Sequence, residues 1–229
     1  MPAADWIDDT RTSYDTVAPS YAALLRDALA TEPFQRGILA LFAELVHAAM
    51  DAGSAPVPGL VADMGCGPGR LTRYLADLGL DAFGIDLSPA MIDIARRDHP
   101  GLRFEVGSMT ALDLPERSVT GLLAWFSLIH VPDAEVPAVL ADFHRILQPG
   151  GIVLIGFHAG SGSHLKTSGY GDHPMTVYVH RRTLTQTASW LAEAGFTIDA
   201  EMTHHAAPGI EGGFVFARRP HPAQGQTTR

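Results

Sequence analysis

The spacing of apolar residues changes near residue 59 of this chain. Over residues 8–52, apolar side chains recur every three or four positions, which predicts amphipathic helices. From residue 60 onward, short apolar runs alternate with helical stretches, a pattern typical of a parallel sheet with crossover helices. The chain is therefore predicted to fold as a helical lead-in followed by an α/β core.

The predicted core elements largely alternate until the last two strands, which form a hairpin. Predicted strands cover residues 60–62, 82–85, 102–106, 119–126, 152–157, 196–202 and 213–217, and predicted helices cover 70–78, 88–97, 134–147 and 183–194. Residues 159–178 are predicted to be a long loop that covers a substrate, since long loops in compact domains are usually functional or disordered. The order predicts a doubly wound, mostly parallel seven-stranded sheet with helices on both faces and an antiparallel last strand.

Composition narrows the class of protein. The 229 residues are 46% hydrophobic and 18% charged, which fits one globular domain. A net charge of -9 argues against nucleic acid and anionic membranes as partners, because both would repel the chain. No apolar run is long enough to span a bilayer, the N-terminus has no leader pattern, and Cys66 is the single cysteine. We therefore expect a cytoplasmic protein.

A glycine-rich turn lies between the first predicted strand and the helix that follows it. Its sequence is Asp63-Met64-Gly65-Cys66-Gly67-Pro68-Gly69. Glycine lets the backbone turn tightly and lets a ligand approach, while the helix start offers free N–H groups to a nucleotide-like ligand. The turn alone also fits a purely structural role, since tight turns need glycine.

Asp86 closes the second predicted strand, where a carboxylate can accept hydrogen bonds from both hydroxyls of a ribose. A capping role is the alternative for Asp86, but Ser88 already offers a cap to the next helix. The turn and the carboxylate together predict a crevice that holds a nucleotide-like ligand between them.

Five segments in this order resemble the motifs of the class I, Rossmann-like S-adenosylmethionine-dependent methyltransferases of the small-molecule type. They are residues 63–69, 84–91, 107–115, 125–131 and 145–151, and the resemblance extends from Tyr14 to Ala217. It implies S-adenosylmethionine as the cofactor and a small molecule as the methyl acceptor. Methyl transfer would then be an in-line displacement at the activated sulfonium.

The resemblance also implies which residues bind the cofactor. They are Tyr14, Tyr21, Asp63, Gly65, Cys66, Gly67, Asp86, Leu87, Met91, Ser108, Met109, Phe126 and Ser127. Tyr14 and Tyr21 would lie in an N-terminal helical lid, although both also fit ordinary packing. Ser108 stands where many members have an aspartate, and a serine hydroxyl hydrogen-bonds adenine less strongly than a carboxylate does. Met109 and Cys66 also fit a simple packing role.

The chain is thereby divided into three predicted parts. Residues 1–55 would form the helical lid region packed on the core, and residues 56–219 would form the Rossmann-like methyltransferase core. Residues 220–229 contain Pro, Gly, Gln and Thr without apolar periodicity, and they are predicted to be a disordered tail.

Histidines that follow the fourth and fifth predicted strands are the candidate catalytic groups. His130 and His158 would both point toward the mouth of the site, where either can act as a base for an acidic acceptor. We predict His130 as the better base, because its segment adjoins the methyl donor in the resembling family. The alternative is that His130 hydrogen-bonds the backbone or lines the pocket. No metal site is predicted, since no close repeat of ligating residues occurs.

Three other functions fit part of the pattern. An NAD-dependent oxidoreductase shares the turn and the carboxylate, but its G-x-G-x-x-G spacing is absent. A non-catalytic module that binds S-adenosylmethionine stays open, as does an enzyme of the same fold that uses the cofactor for a non-methyl transfer or a cyclisation. The sequence does not specify the acceptor, its reacting atom, or whether the chain is a monomer or a homodimer.

Overall fold

The computed structural model describes residues 3–51, 59–207 and 209–222. The helices in these ranges are α1 (Ala3–Leu25), α2 (Pro33–Asp51), α3 (Arg70–Asp77), α4 (Pro89–Asp98), α5 (Val136–Ile146) and α6 (Leu184–Glu193). The strands are β1 (Leu60–Met64), β2 (Asp81–Asp86), β3 (Arg103–Val106), β4 (Val119–Trp125), β5 (Leu147–His158), β6 (Ser163–Gly169), β7 (His173–His180), β8 (Thr197–Ala207) and β9 (Ile210–Arg218). From residue 223 onward, the predicted disordered tail lies outside the described residues.

Seven of these strands form one sheet in the order β3-β2-β1-β4-β5-β9-β8. Neighbouring strands from β3 to β5 are parallel, whereas β9 runs antiparallel to both β5 and β8. The predicted doubly wound, mostly parallel sheet with an antiparallel last strand is therefore confirmed. The strand order reverses between β1 and β4, which opens a crevice at the carboxyl ends of these two strands.

The central strands are apolar because helices cover the sheet on both faces. All residues of β4 are buried. On one face, Phe42 of α2 belongs to the same buried cluster as Leu123 of β4. On the other face, Phe143 of α5 belongs to the same buried cluster as Leu122. This packing fixes the ends of β1 and β4, from which the loops of the crevice begin.

The predicted loop at 159–178 is wrong, because most of it is an antiparallel hairpin of β6 and β7. In β7, Met175, Val177 and Val179 are buried and alternate with exposed residues, which is the period of a half-buried strand. Residues of β6 are almost all exposed, so that strand carries no apolar alternation. The hairpin packs β7 against α1 instead of forming an irregular cover.

The helix α1 lies over the crevice as part of the predicted helical lead-in. Its residues Val17 and Ala18 are fully buried in a cluster with Met91 of α4 and Met175 of β7. Pro19 lies inside this helix. Among the described residues, none of the helices has both the length and the apolar composition needed to cross a bilayer.

Candidate active site

A cavity of about 790 Å³, counting the part open to solvent, lies at the carboxyl ends of β1, β2 and β4 beneath α1. Most of the predicted site residues line it: Tyr14, Tyr21, Gly65, Gly67, Asp86, Leu87, Met91, Ser108, Met109, Phe126, Ser127 and His130. The remaining predicted site residues, Asp63, Cys66 and His158, are not among the described residues that line it.

The turn after β1 adopts backbone conformations that favour glycine. The φ angles of Gly65 and Gly67 are 75° and 55°. A Cβ atom on Gly65 would lie 2.3 Å from the Cβ of Ser127, which itself donates a 2.6 Å hydrogen bond to the carbonyl oxygen of Met64. The turn and the segment after β4 therefore approach each other as closely as glycine permits.

The carboxylate of Asp86 is directed at the glycine turn. Its Oδ2 accepts a hydrogen bond of 2.8 Å from the backbone N–H of Gly67, and its Oδ1 accepts one of 2.8 Å from the N–H of Ser88. Burial raises the pKa of Asp86 to about 6, although these two hydrogen bonds lower it. The carboxylate and the turn thus border the same crevice, and the carboxylate oxygens retain lone pairs that can accept further hydrogen bonds.

Asp63 and Cys66 face inward, away from the cavity lining. Asp63 is 1% exposed, and its Oδ2 accepts a 2.7 Å hydrogen bond from the hydroxyl of Thr72 on α3. Burial raises the pKa of Asp63 to about 7. Burial also raises the pKa of the Cys66 thiol, whose sulfur would lie 2.6 Å from a Cβ placed on Gly84. Both side chains connect the turn to the elements behind it.

Ser108 and Met109 follow β3 and line the cavity beside each other. The hydroxyl of Ser108 lies 2.7 Å from the hydroxyl of Thr110 and accepts a 3.2 Å hydrogen bond from the Thr110 N–H. Part of the hydrogen-bonding capacity of the Ser108 hydroxyl is therefore used within its own loop.

The predicted lid residues Tyr14 and Tyr21 lie on α1 with their rings 6.1 Å apart in an edge-on arrangement. The ring of Tyr170, which follows β6, lies 4.7 Å from that of Tyr21. Burial raises the pKa of Tyr21 to about 12 and raises the pKa of Tyr14 as well, so both phenols are neutral near pH 7. The helix thus covers the cavity with uncharged aromatic groups.

His130 is 8% exposed, and both of its ring nitrogens are hydrogen-bonded. Its Nδ1 lies 2.8 Å from the carbonyl oxygen of Tyr178 on β7, and its Nε2 lies 2.7 Å from the hydroxyl of Tyr14. Burial lowers the pKa of His130 to about 4, so the ring is neutral near pH 7. Because a carbonyl can only accept, Nδ1 carries the proton, and the Tyr14 hydroxyl donates to Nε2.

The turn that carries His130 is held from behind by Arg182, a residue that the sequence analysis did not select. Its guanidinium is 2% exposed and donates to the carbonyl oxygens of Leu128, at 2.9 Å, and of Val131. It also pairs with Asp133 at 3.0 Å. Tyr178 of β7 and Arg182, two residues beyond the end of that strand, therefore fix the position of His130.

His158, the second predicted base, is half-buried at the end of β5. Its ring lies 4.9 Å from that of Phe126, and burial lowers its pKa. Phe126 lines the cavity with a φ of 51°, a left-handed conformation that is uncommon for a residue with a side chain. The structure places His158 behind Phe126, outside the cavity lining.

Residues near the start of α1 also line the cavity, and the sequence prediction missed them. Trp6 and Thr10 precede Tyr14 at intervals of four, so all three share one face of the helix. The indole N–H of Trp6 donates a 2.9 Å hydrogen bond to Glu135 beside α5. The four-residue spacing from Tyr14 could have identified Trp6 and Thr10 as residues on the same face of the helix. In the described part of the chain, no three His, Cys, Asp or Glu side chains come together in a way that could hold a metal ion.

Comparisons with known proteins agree with this architecture. Residues 61–151 match a family model described as a methyltransferase domain. A malonyl-(acyl-carrier protein) O-methyltransferase of Serratia marcescens is 30% identical over 92 residues, which are 40% of this chain and 35% of that protein. This chain spans between 35% and 56% of the length of the first curated relatives that it matches.

Two solved structures share the fold. A crystal structure described as a SAM-dependent methyltransferase from Methanosarcina mazei aligns with a TM-score of 0.64 and 20% identity, covering 76% of this chain and 98% of that one. A 1,6-didemethyltoxoflavin-N1-methyltransferase of Burkholderia thailandensis, solved with 1,6-didemethyltoxoflavin and S-adenosylhomocysteine, aligns with a TM-score of 0.61 and 24% identity over 89% of this chain and 91% of that one. Residues 61–151 of this chain therefore match a methyltransferase domain, and the chain has the fold of the S-adenosylmethionine-dependent methyltransferases that its motifs resemble.

Proposed function

We propose that this protein transfers the methyl group of S-adenosylmethionine to a small-molecule acceptor by in-line displacement. The observation that supports this most directly is the 2.8 Å hydrogen bond between the Gly67 N–H and Asp86, since it brings the glycine turn and the ribose-binding carboxylate to one crevice. The two relatives named above methylate an oxygen and a nitrogen acceptor by their descriptions, so the acceptor atom is left open.

The cofactor would lie between the loops of the sheet and α1. The turn at Gly65 and Gly67 leaves room for its close approach, and Asp86 would accept hydrogen bonds from the ribose hydroxyls. Ser108 and Met109 would contact the adenine. When bound, the cofactor supplies an activated methyl group, and the protein supplies alignment and exclusion of water.

The acceptor would occupy the part of the cavity near the start of α1. Trp6, Phe126 and Val131 give this part apolar walls, which favours a small and partly apolar acceptor. The net charge of -9 gives no general attraction for nucleic acid.

Residues of the cavity can also assist proton removal from the acceptor. The geometry modifies the predicted role of His130 in this step. Since Tyr14 occupies Nε2, His130 would act through it: the acceptor's proton passes to the Tyr14 oxygen as the phenolic proton passes to Nε2. A buried imidazole of low pKa is a weak base. The pair therefore suits an acceptor whose proton becomes acidic as the methyl group is transferred. The role of His158 as a base stays a prediction.

Removal of the Asp86 carboxylate tests cofactor binding. Because hydrogen bonds to a charged group contribute about 1.5–3 kcal/mol each, Asp86→Ala should weaken S-adenosylhomocysteine binding by about 10- to 100-fold in calorimetry. Asp93→Ala, which removes an exposed carboxylate from α4, serves as the control and should bind like the wild type. Equal affinity in the Asp86 variant would refute the ribose role.

Removal of the proton-accepting pair tests the chemistry. His130→Ala and Tyr14→Phe should each lower turnover by about 100-fold or more, as expected for a lost general base, while S-adenosylhomocysteine affinity changes by about twofold or less. Turnover is measured as S-adenosylhomocysteine release with a panel of candidate acceptors. Unchanged turnover in both variants would remove the pair from the mechanism, and cofactor binding without release in the wild type across the panel would favour the non-catalytic alternative.

A further inference from the structure

We propose that Asp15 is a positioning residue that fastens α1 to the loop bearing Asp86 and thereby retains the bound cofactor. This inference rests on the proposed function, since it assumes that the cofactor lies between α1 and that loop. Asp15 itself does not line the cavity among the described residues, and none of the motif roles above includes it.

The carboxylate of Asp15 lies at the N-terminus of α4. Its Oδ1 accepts a hydrogen bond of 2.5 Å from the hydroxyl of Ser88 and one of 3.0 Å from the backbone N–H of Ala90. The same Ser88 hydroxyl accepts a 3.1 Å hydrogen bond from the Met91 N–H, as a helix cap does. A negative charge at this position also interacts favourably with the dipole of α4.

Ser88 connects Asp15 to the cofactor-binding carboxylate. Its side chain donates to Asp15, and its backbone N–H donates to Oδ1 of Asp86 at 2.8 Å. The other oxygen of Asp86 is held by Gly67. Asp15 therefore acts on a loop whose conformation sets the direction of the Asp86 carboxylate.

The neighbouring residue on α1 is attached to the opposite side of the cavity. Tyr14 donates to His130 after β4, whereas Asp15 accepts from Ser88 and Ala90 after β2. Two consecutive residues thus join the helix to both sides of the crevice. Loss of the Asp15 contacts would leave apolar packing, such as that of Val17 against Met91, to hold α1 on this side of the crevice, so the cofactor could leave more readily.

The experiment compares Asp15→Ala and Asp15→Asn with Asp9→Ala, a control that removes a carboxylate from α1 beside the shallow groove between α1 and β7. The dissociation rate of S-adenosylhomocysteine is measured by stopped flow, and amide hydrogen exchange of α1 is measured with and without this ligand. We expect Asp15→Ala to release the ligand about tenfold faster, because two hydrogen bonds to a charged group are lost. Asparagine retains an acceptor oxygen without the charge and should give an intermediate rate.

Exchange should increase in α1 of Asp15→Ala while the amides of β4 stay protected, which separates local opening from a general loss of stability. Wild-type dissociation rates together with wild-type exchange in Asp15→Ala would overturn the inference. A wild-type protein that does not bind S-adenosylhomocysteine would instead refute the proposed function. Exchange of α1 in the unliganded variants would then still report whether Asp15 fastens the helix.

Discussion

The loops after β1 and β2, here called the cofactor wall (Gly65, Gly67 and Asp86), are joined to each other by a hydrogen bond between residues 19 positions apart, within one βαβ unit. The opposite side, here called the acceptor wall (Tyr14, His130 and Tyr178), is held by hydrogen bonds between residues 116 and 48 positions apart. The first depends on backbone conformation and the second on tertiary packing. Substitutions should therefore affect cofactor affinity in one wall and turnover in the other.

The largest effect is expected for Gly65→Ala in the cofactor wall. An added Cβ would combine a left-handed φ of 75° with a 2.3 Å approach to Ser127, so the turn must shift. Affinity for S-adenosylhomocysteine should fall by about 100-fold or more, the equivalent of roughly 3 kcal/mol. Calorimetry measures this loss, and Gly101→Ala, where an added Cβ meets nothing within 4 Å, is the matched control. Retained affinity would contradict a site built on this turn.

A smaller effect is expected for Arg182→Lys, which lies behind the acceptor wall. In contrast to Gly65→Ala, this substitution should lower turnover and not cofactor affinity. Lysine cannot donate to two carbonyls and a carboxylate in the planar geometry of the guanidinium. Turnover should fall by about tenfold and the free energy of unfolding by about 2 kcal/mol, with cofactor affinity nearly unchanged. Steady-state kinetics measures turnover, and urea unfolding measures the free energy of unfolding. Arg181→Lys at the adjacent position is the control. If Arg182→Lys lowered cofactor affinity as much as turnover, the proposed separation of cofactor binding and turnover between the two walls would be wrong.

The smallest effect on cofactor affinity is expected for Asp63→Asn, which instead changes the pH dependence of stability. The pKa of Asp63 is about 7 in the folded protein against 3.8 for an ordinary carboxyl group, so the folded state binds its proton more tightly. Its contribution to stability is full below about pH 4 and is lost as the pH rises to about 7. The asparagine variant does not titrate.

The variant should therefore gain stability relative to the wild type between pH 4.5 and 7.5, as measured by urea unfolding at several pH values, since these values bracket much of the shift. Asp113→Asn removes an exposed carboxylate and should track the wild type. A pH-independent difference between Asp63→Asn and the wild type would mean that Asp63 is ionised in the folded protein throughout this range.

The contrast between the local pattern of the cofactor wall and the distant contacts of the acceptor wall also explains which features could be predicted from the sequence. Gly65 and Asp86 were identifiable because a glycine turn and a strand-ending carboxylate are local patterns. The hairpin of β6 and β7 was not predicted, because most residues of β6 are exposed and only β7 has alternating buried apolar residues. The partner of His130 is a backbone carbonyl, and such a partner has no signature in the identity of Tyr178.

Pro19 interrupts the regular hydrogen bonding of α1 just after Tyr14 and Asp15, the two residues that attach the helix to both sides of the crevice. Proline has no N–H, so the carbonyl of Asp15, four residues earlier, lacks its regular helical partner there. Bending at this position costs one hydrogen bond fewer than elsewhere in the helix. If α1 bends here, Tyr14 and Asp15 move together while Tyr21 does not, so one motion would break the hydrogen bonds of α1 to both His130 and Ser88.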